Sequence, residues 1–134
     1  MSVPRIARAE TAEEVLALRP ELLRCHRERR AVVMAEGLVG LRVKELCARY
    51  LAGDDEVVLH ADDVSRFDER ERAALAWVHA ALWSPESADD ALWERLHANF
   101  TEPQLVELFY FVQWTVGERS WLRTLGIEPG VLPE

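Results

Sequence analysis

The segment from Leu105 to Leu125 is apolar around most of its circumference, which limits what the whole chain can become. Apolar side chains stand at 105, 106, 108, 109, 111, 112, 114, 116, 121, 122 and 125, too many for one core-facing stripe of a helix. Several neighbouring helices, or another subunit, must cover such an element. Thr101-Glu-Pro-Gln104 ahead of it is a start signal, with Thr as the cap and Pro in the first turn. Gly126 with Pro129 ends it, and Gly117 at most bends it.

The same signals punctuate the chain upstream. Thr11-Ala-Glu-Glu14 reads as a capping box opening a short helix to about Leu18, stopped because Pro20 disfavours helical geometry at Arg19. Pro20 then starts a helix over 21–35, which Gly37 closes. A third helix over 41–52 turns Leu41, Leu46, Cys47, Tyr50 and Leu51 inward and Arg42, Lys44, Glu45 and Arg49 outward. Glu45 and Arg49 stand at i and i+4, the spacing of a helical ion pair. Gly53 ends this helix, and 54–66 is a loop with at most one turn of helix. Asp68-Glu-Arg-Glu71 opens a central helix over 68–83, with Ala74, Trp77, Val78, Ala81 and Leu82 on its broad apolar face. Helices over 89–99 and 102–125 follow. No strand alternation of useful length appears, so the expected fold is all-α, a single-domain bundle of six or seven helices spanning 1–134. Residues 1–10 are expected to be loosely held.

Charge and hydropathy narrow the function classes. The net charge is −8, which argues against nucleic acid or an anionic membrane surface as a partner. Ten of the 16 basic residues but only seven of the 24 acidic ones lie in the first 50 positions. A basic front and an acidic back can pair within one subunit or between subunits. The basic tract Arg27-Glu-Arg-Arg30 is interrupted by Glu28 and has no interleaved aromatics, so it reads as a solvated face. No apolar run approaches the roughly 20 residues of a membrane span, and no apolar signal core follows Met1, so the expected location is the cytoplasm.

The four histidines, His26, His60, His79 and His97, form no HExxH, HxxxH or Cys/His cluster, so no metal site is indicated. GxSxG, P-loop and GxGxxG patterns are also missing, and no cofactor is expected. His79 and His97, near Trp77 and Trp93, read as structural or interface histidines. The aromatics of the second half read as core or subunit interface. Cys25 and Cys47 form no CxxC, and each reads as a small buried hydrophobe.

The order of elements carries a resemblance. A basic helix leads into LVGLRVKEL and an acidic loop, followed by RFDERERAALAWVHA, ALWERLHANFTEPQLVEL and a last helix ending ERSWLRTLGI. Over about residues 20–128 this resembles the carboxymuconolactone decarboxylase and alkylhydroperoxidase-D-like family. The resemblance implies an alkylhydroperoxidase-D-like helical fold and a homo-oligomer. In redox members of that family a Glu, a CxxC pair and a following His form the site. Carried over, Glu45 matches the family Glu, the two Cys fall at Val57 and His60, and Val64 takes the place of the His. The acid is kept and both thiols are lost.

Three readings follow. The leading one is a family scaffold with a degenerate redox site, oligomeric, without thiol peroxidase activity and binding a small ligand. A second makes Glu45 a general base and His60 its partner in proton transfer on a carbonyl or lactone substrate. The third is a structural or partner-binding helical protein. An open polar pocket holding Glu45 and His60 would favour the second.

Overall fold

The computed structural model describes residues 5–6, 8–35 and 37–133. It contains α1 (Ala12–Leu16), α2 (Pro20–Met34), α3 (Leu41–Leu51), α4 (Asp55–Val58), α5 (Glu69–Trp83), α6 (Asp90–Asn99) and α7 (Glu102–Thr124). A 3₁₀ turn, Pro85–Ser87, links α5 to α6. The described residues contain no strand, and the fold is an all-α bundle. The expectation for residues 1–10 lies partly outside the described residues.

The cap residues set the helix ends. Asp68 accepts from the Glu71 amide while Glu71 reaches back to Asp68 N, and Thr101 with Gln104 does the same for α7. At α1 the Thr11 hydroxyl accepts from Glu14 N, but the Glu14 carboxylate reaches one residue further back, to Glu10 N. Gly53 and Gly126 end α3 and α7 with positive φ, as the helix-stop reading requires.

α5 packs against α3 and α6, and α7 against α3 and α2. The main core runs from Val43, Leu46 and Cys47 through Leu75 and Val78 to Leu108 and Phe111. The inward face of α5 is shifted from the expected one, since Ala73, Leu75 and Ala80 are buried and Ala81 is exposed. Trp77 stacks on Phe109 at 4.1 Å between ring centres, and Trp93 meets Phe109 edge-on at 5.7 Å. One phenyl ring thereby joins α5, α6 and α7. A smaller cluster of Ala12, Leu122 and Ile127 closes the far end, where Arg119 donates to the Gly130 carbonyl at 2.7 Å.

The two ways of covering α7 are resolved for much of its surface. Phe111 and Trp114 are buried within the one chain, and Phe109 and Trp121 are half-buried. Val106 and Tyr110 remain exposed. The basic front and acidic back also meet within the subunit: Arg42 contacts Glu71 at 3.0 Å, and Lys44 lies 3.5 Å from Glu107.

Lys44 corrects the helical-face assignment. Its side chain is wholly buried, and Nζ donates to the carbonyls of Val33 at 2.8 Å and Ala35 at 2.9 Å. A buried ammonium requires such partners. They come from the end of α2 and from α7, where local periodicity gives no view of them. Cys25 is a second correction, because it is exposed on α2.

Candidate functional site

α3 carries both the residue expected at the site and the one the fold places there. Glu45 lies on the exposed side of α3, between buried Lys44 and Leu46. His60, half-buried, lies in the turn after α4, its amide donating to the Val57 carbonyl. Among the described residues no hydrogen bond or ion pair joins Glu45 to His60, and neither lines the cleft described below. Arg49 is not held by Glu45 either. It donates to Asp54 at 2.7 Å, so the charge is used to fasten the α3–α4 turn.

One turn beyond Cys47, Tyr50 points into a cleft of about 670 Å³ between α3, α5, α6 and the segment after α4. That volume is in the range of small-molecule sites. The walls are formed by Leu75, Ala76 and Leu92, with Val58, Leu59, Ala61 and Asp62 on one side. The Tyr50 hydroxyl and His79 Nδ1 are 2.5 Å apart, with the rings edge-to-face at 6.2 Å. Burial pushes the Tyr50 phenol up from its ordinary value, so it is a neutral hydroxyl at pH 7. His79 lies on α5 and is exposed towards solvent. A neutral imidazole either accepts the phenol hydrogen or donates its own, depending on tautomer.

Arg72, Arg95, Asp62 and Asp89 also line the cleft. Glu69 collects both cations: Arg95 Nε donates to it at 2.8 Å, and Arg72 Nη2 lies 3.2 Å away. The Arg95 hydrogen bond is the main reason the Glu69 carboxyl is held below its usual range. Asp89 caps α6 by accepting from Leu92 N at 3.0 Å.

The thiols lie apart from one another. Cys47 is fully buried, and burial pushes its thiol up to about 12. Cys25 lines a separate groove between α2 and α7 with Leu22, Arg29, Tyr110 and Trp114. Arg29 sits over the Trp114 ring at 5.1 Å, and the imidazole of His26 meets that ring edge-on at 5.5 Å. Among the described residues, no group of three or more His, Cys, Asp or Glu side chains could hold a metal ion. No helix there is long and apolar enough to cross a membrane.

The Tyr50–His79 pair was not among the residues the sequence pointed to. His79 reads there as a structural histidine, and Tyr50 as one more apolar position of α3. The pair spans 29 residues and two helices. The sequence places Tyr50 on the apolar face of its helix, but nothing in it says which helix that face meets.

Comparison with protein-family models, with curated proteins and with solved structures returns no match.

Proposed function

We propose that this chain is a divergent member of the carboxymuconolactone decarboxylase and alkylhydroperoxidase-D-like family that has lost thiol peroxidase activity. In this reading it is a homo-oligomeric helical protein that binds a small molecule in the α3–α5–α6 cleft. The observation that carries the ligand reading is the Tyr50–His79 hydrogen bond inside a cleft of about 670 Å³. A polar pair at the wall of an otherwise largely apolar hollow is what fixes the orientation of a small ligand.

The loss of peroxidase activity is supported by the thiols. A disulfide relay needs one thiolate and one resolving thiol within reach of each other. Cys47 has neither solvent access nor a depressed pKa, and no CxxC exists in the chain. The oligomer is supported by apolar surface that one chain leaves uncovered. Leu22 on α2 and Tyr110 on α7 line one groove and are 50% and 43% exposed, with Val106 at 65%.

Two measurements test the reading. Sedimentation at micromolar concentration is expected to show a species larger than 15.3 kDa, and a clean monomer removes the oligomer. NMR titration with a set of small organic fragments is expected to shift the resonances of Tyr50, Leu75, His79 and Leu92 together. A set that moves none of them removes the ligand site, and hydroperoxide turnover with a dithiol reductant removes the redox part.

A further inference from the structure

The polar groups of the cleft differ in what they already hold. Arg95 and Arg72 are both engaged by Glu69, and Arg72 Nε also donates to the Phe67 carbonyl at 3.1 Å. Asp89 is occupied as the cap of α6. Both arginines already serve Glu69, so an anion at the rim would compete with that carboxylate. Asp62 also lines the cleft but is exposed, and a cation paired with it there would gain only a screened surface contact. A neutral ligand relies on neither charge. It would meet Leu75, Ala76 and Leu92 on its apolar side and the Tyr50–His79 pair on its polar side.

We propose that the cleft binds a neutral, largely apolar molecule through one carbonyl oxygen, with the Tyr50 hydroxyl as donor and His79 setting its direction. This rests on the cleft being a ligand site, as argued above. Tyr50 has a single hydroxyl hydrogen. While it points at His79 Nδ1, a carbonyl oxygen finds no donor on Tyr50. When the His79 hydrogen sits on Nδ1, the ring donates to Tyr50 Oη across the same 2.5 Å. The hydroxyl hydrogen is then turned to the ligand. Binding a carbonyl therefore selects the Nδ1–H tautomer of His79, a change confined to hydrogens. The buried phenol stays un-ionised throughout.

The test is an NMR titration of the full chain, with ¹⁵N-labelled histidine, against acetophenone, ethylbenzene, benzoate and benzylamine. Acetophenone is expected to bind roughly fivefold tighter than ethylbenzene, the worth of one net hydrogen bond. The ring ¹⁵N shifts of His79 are expected to move towards the Nδ1–H form with acetophenone only. Tyr50→Phe is expected to erase the preference, so that acetophenone and ethylbenzene bind equally. Equal binding of acetophenone and ethylbenzene overturns the proposal but leaves the cleft as a ligand site. So does tighter binding of benzoate or benzylamine, or a His79 tautomer that ignores acetophenone. Binding of no probe overturns both readings. The tautomer measurement uses the unaltered chain, so it decides the matter even if the Tyr50 variant folds poorly.

Discussion

Lys44 Nζ lies 3.5 Å from Glu107 Oε2, and the same carboxylate accepts from the backbone amides of Leu38 and Val39. One side chain of α7 thus fastens the α2–α3 connection and a buried cation of α3 together. The Lys44 side chain is fully buried and that of Glu107 is 18% exposed. Removing one partner of such a pair costs more than removing both, because the other is left desolvated and unmatched. Glu107→Ala is expected to lower stability by about 2–4 kcal/mol, between the cost of an unmatched polar group and that of a broken buried pair. Lys44→Met combined with Glu107→Gln should cost less than the single Glu107→Ala. Urea unfolding of the two variants beside the parent chain checks the order.

Gly37 meets the same carboxylate from the other side. Its φ is +50°, and a Cβ built there would run into the Glu107 side chain. Gly37→Ala is therefore expected to destabilise by about 1–2 kcal/mol from the backbone conformation alone. Gly40 is the internal control, since a Cβ there meets nothing within 4 Å and its φ is negative. Gly40→Ala should leave the unfolding midpoint nearly unchanged, and equal losses at both positions would show that the clasp is unimportant.

The two cysteines should separate cleanly in a thiol titration. Cys25 is exposed, whereas Cys47 is fully buried with its thiol pushed up to about 12. An aromatic disulfide reagent at pH 8, applied to protein dilute enough to be monomeric, is expected to label one thiol per native chain and two in denaturant. Cys25→Ser should abolish the fast reaction. Rapid labelling of Cys47 in the native protein would mean that the core around α3 opens readily.

What could be read in the sequence was what each helix declares locally. Asp68 with Glu71 and Thr101 with Gln104 announce their helices through adjacent side chains, and both capping boxes form. What could not be read was set by contacts between distant segments. Lys44 looks like a surface residue because its neighbours Arg42, Glu45 and Arg49 are charged. Its burial depends on carbonyls 9 and 11 residues away and on Glu107. The expected Glu45–Arg49 pair has the right spacing, but Asp54, the cap of α4, takes the Arg49 guanidinium. Tyr50 and His79 were hidden for the same reason, since helical periodicity places each on a face without saying which faces meet.

Glu69 links the stability of the bundle to the chemistry of the cleft rim. The Arg95 hydrogen bond, chiefly, holds its carboxyl below the ordinary value. A carboxyl depressed in the folded state adds stability above its unfolded pKa, about 4.3 for Glu. That contribution is lost as pH falls through the folded pKa. Urea midpoints are therefore expected to drop as pH is lowered from 6 to below about 4. Glu69→Gln should be less stable at pH 7 and should lose less over that window. The same variant releases Arg72 and Arg95 from their shared anion. It is expected to bind benzoate more tightly than the parent chain does, with little change for ethylbenzene. Unchanged benzoate binding, together with an unchanged acid profile, would show that Glu69 neither stabilises the bundle through Arg95 nor keeps anions from the rim.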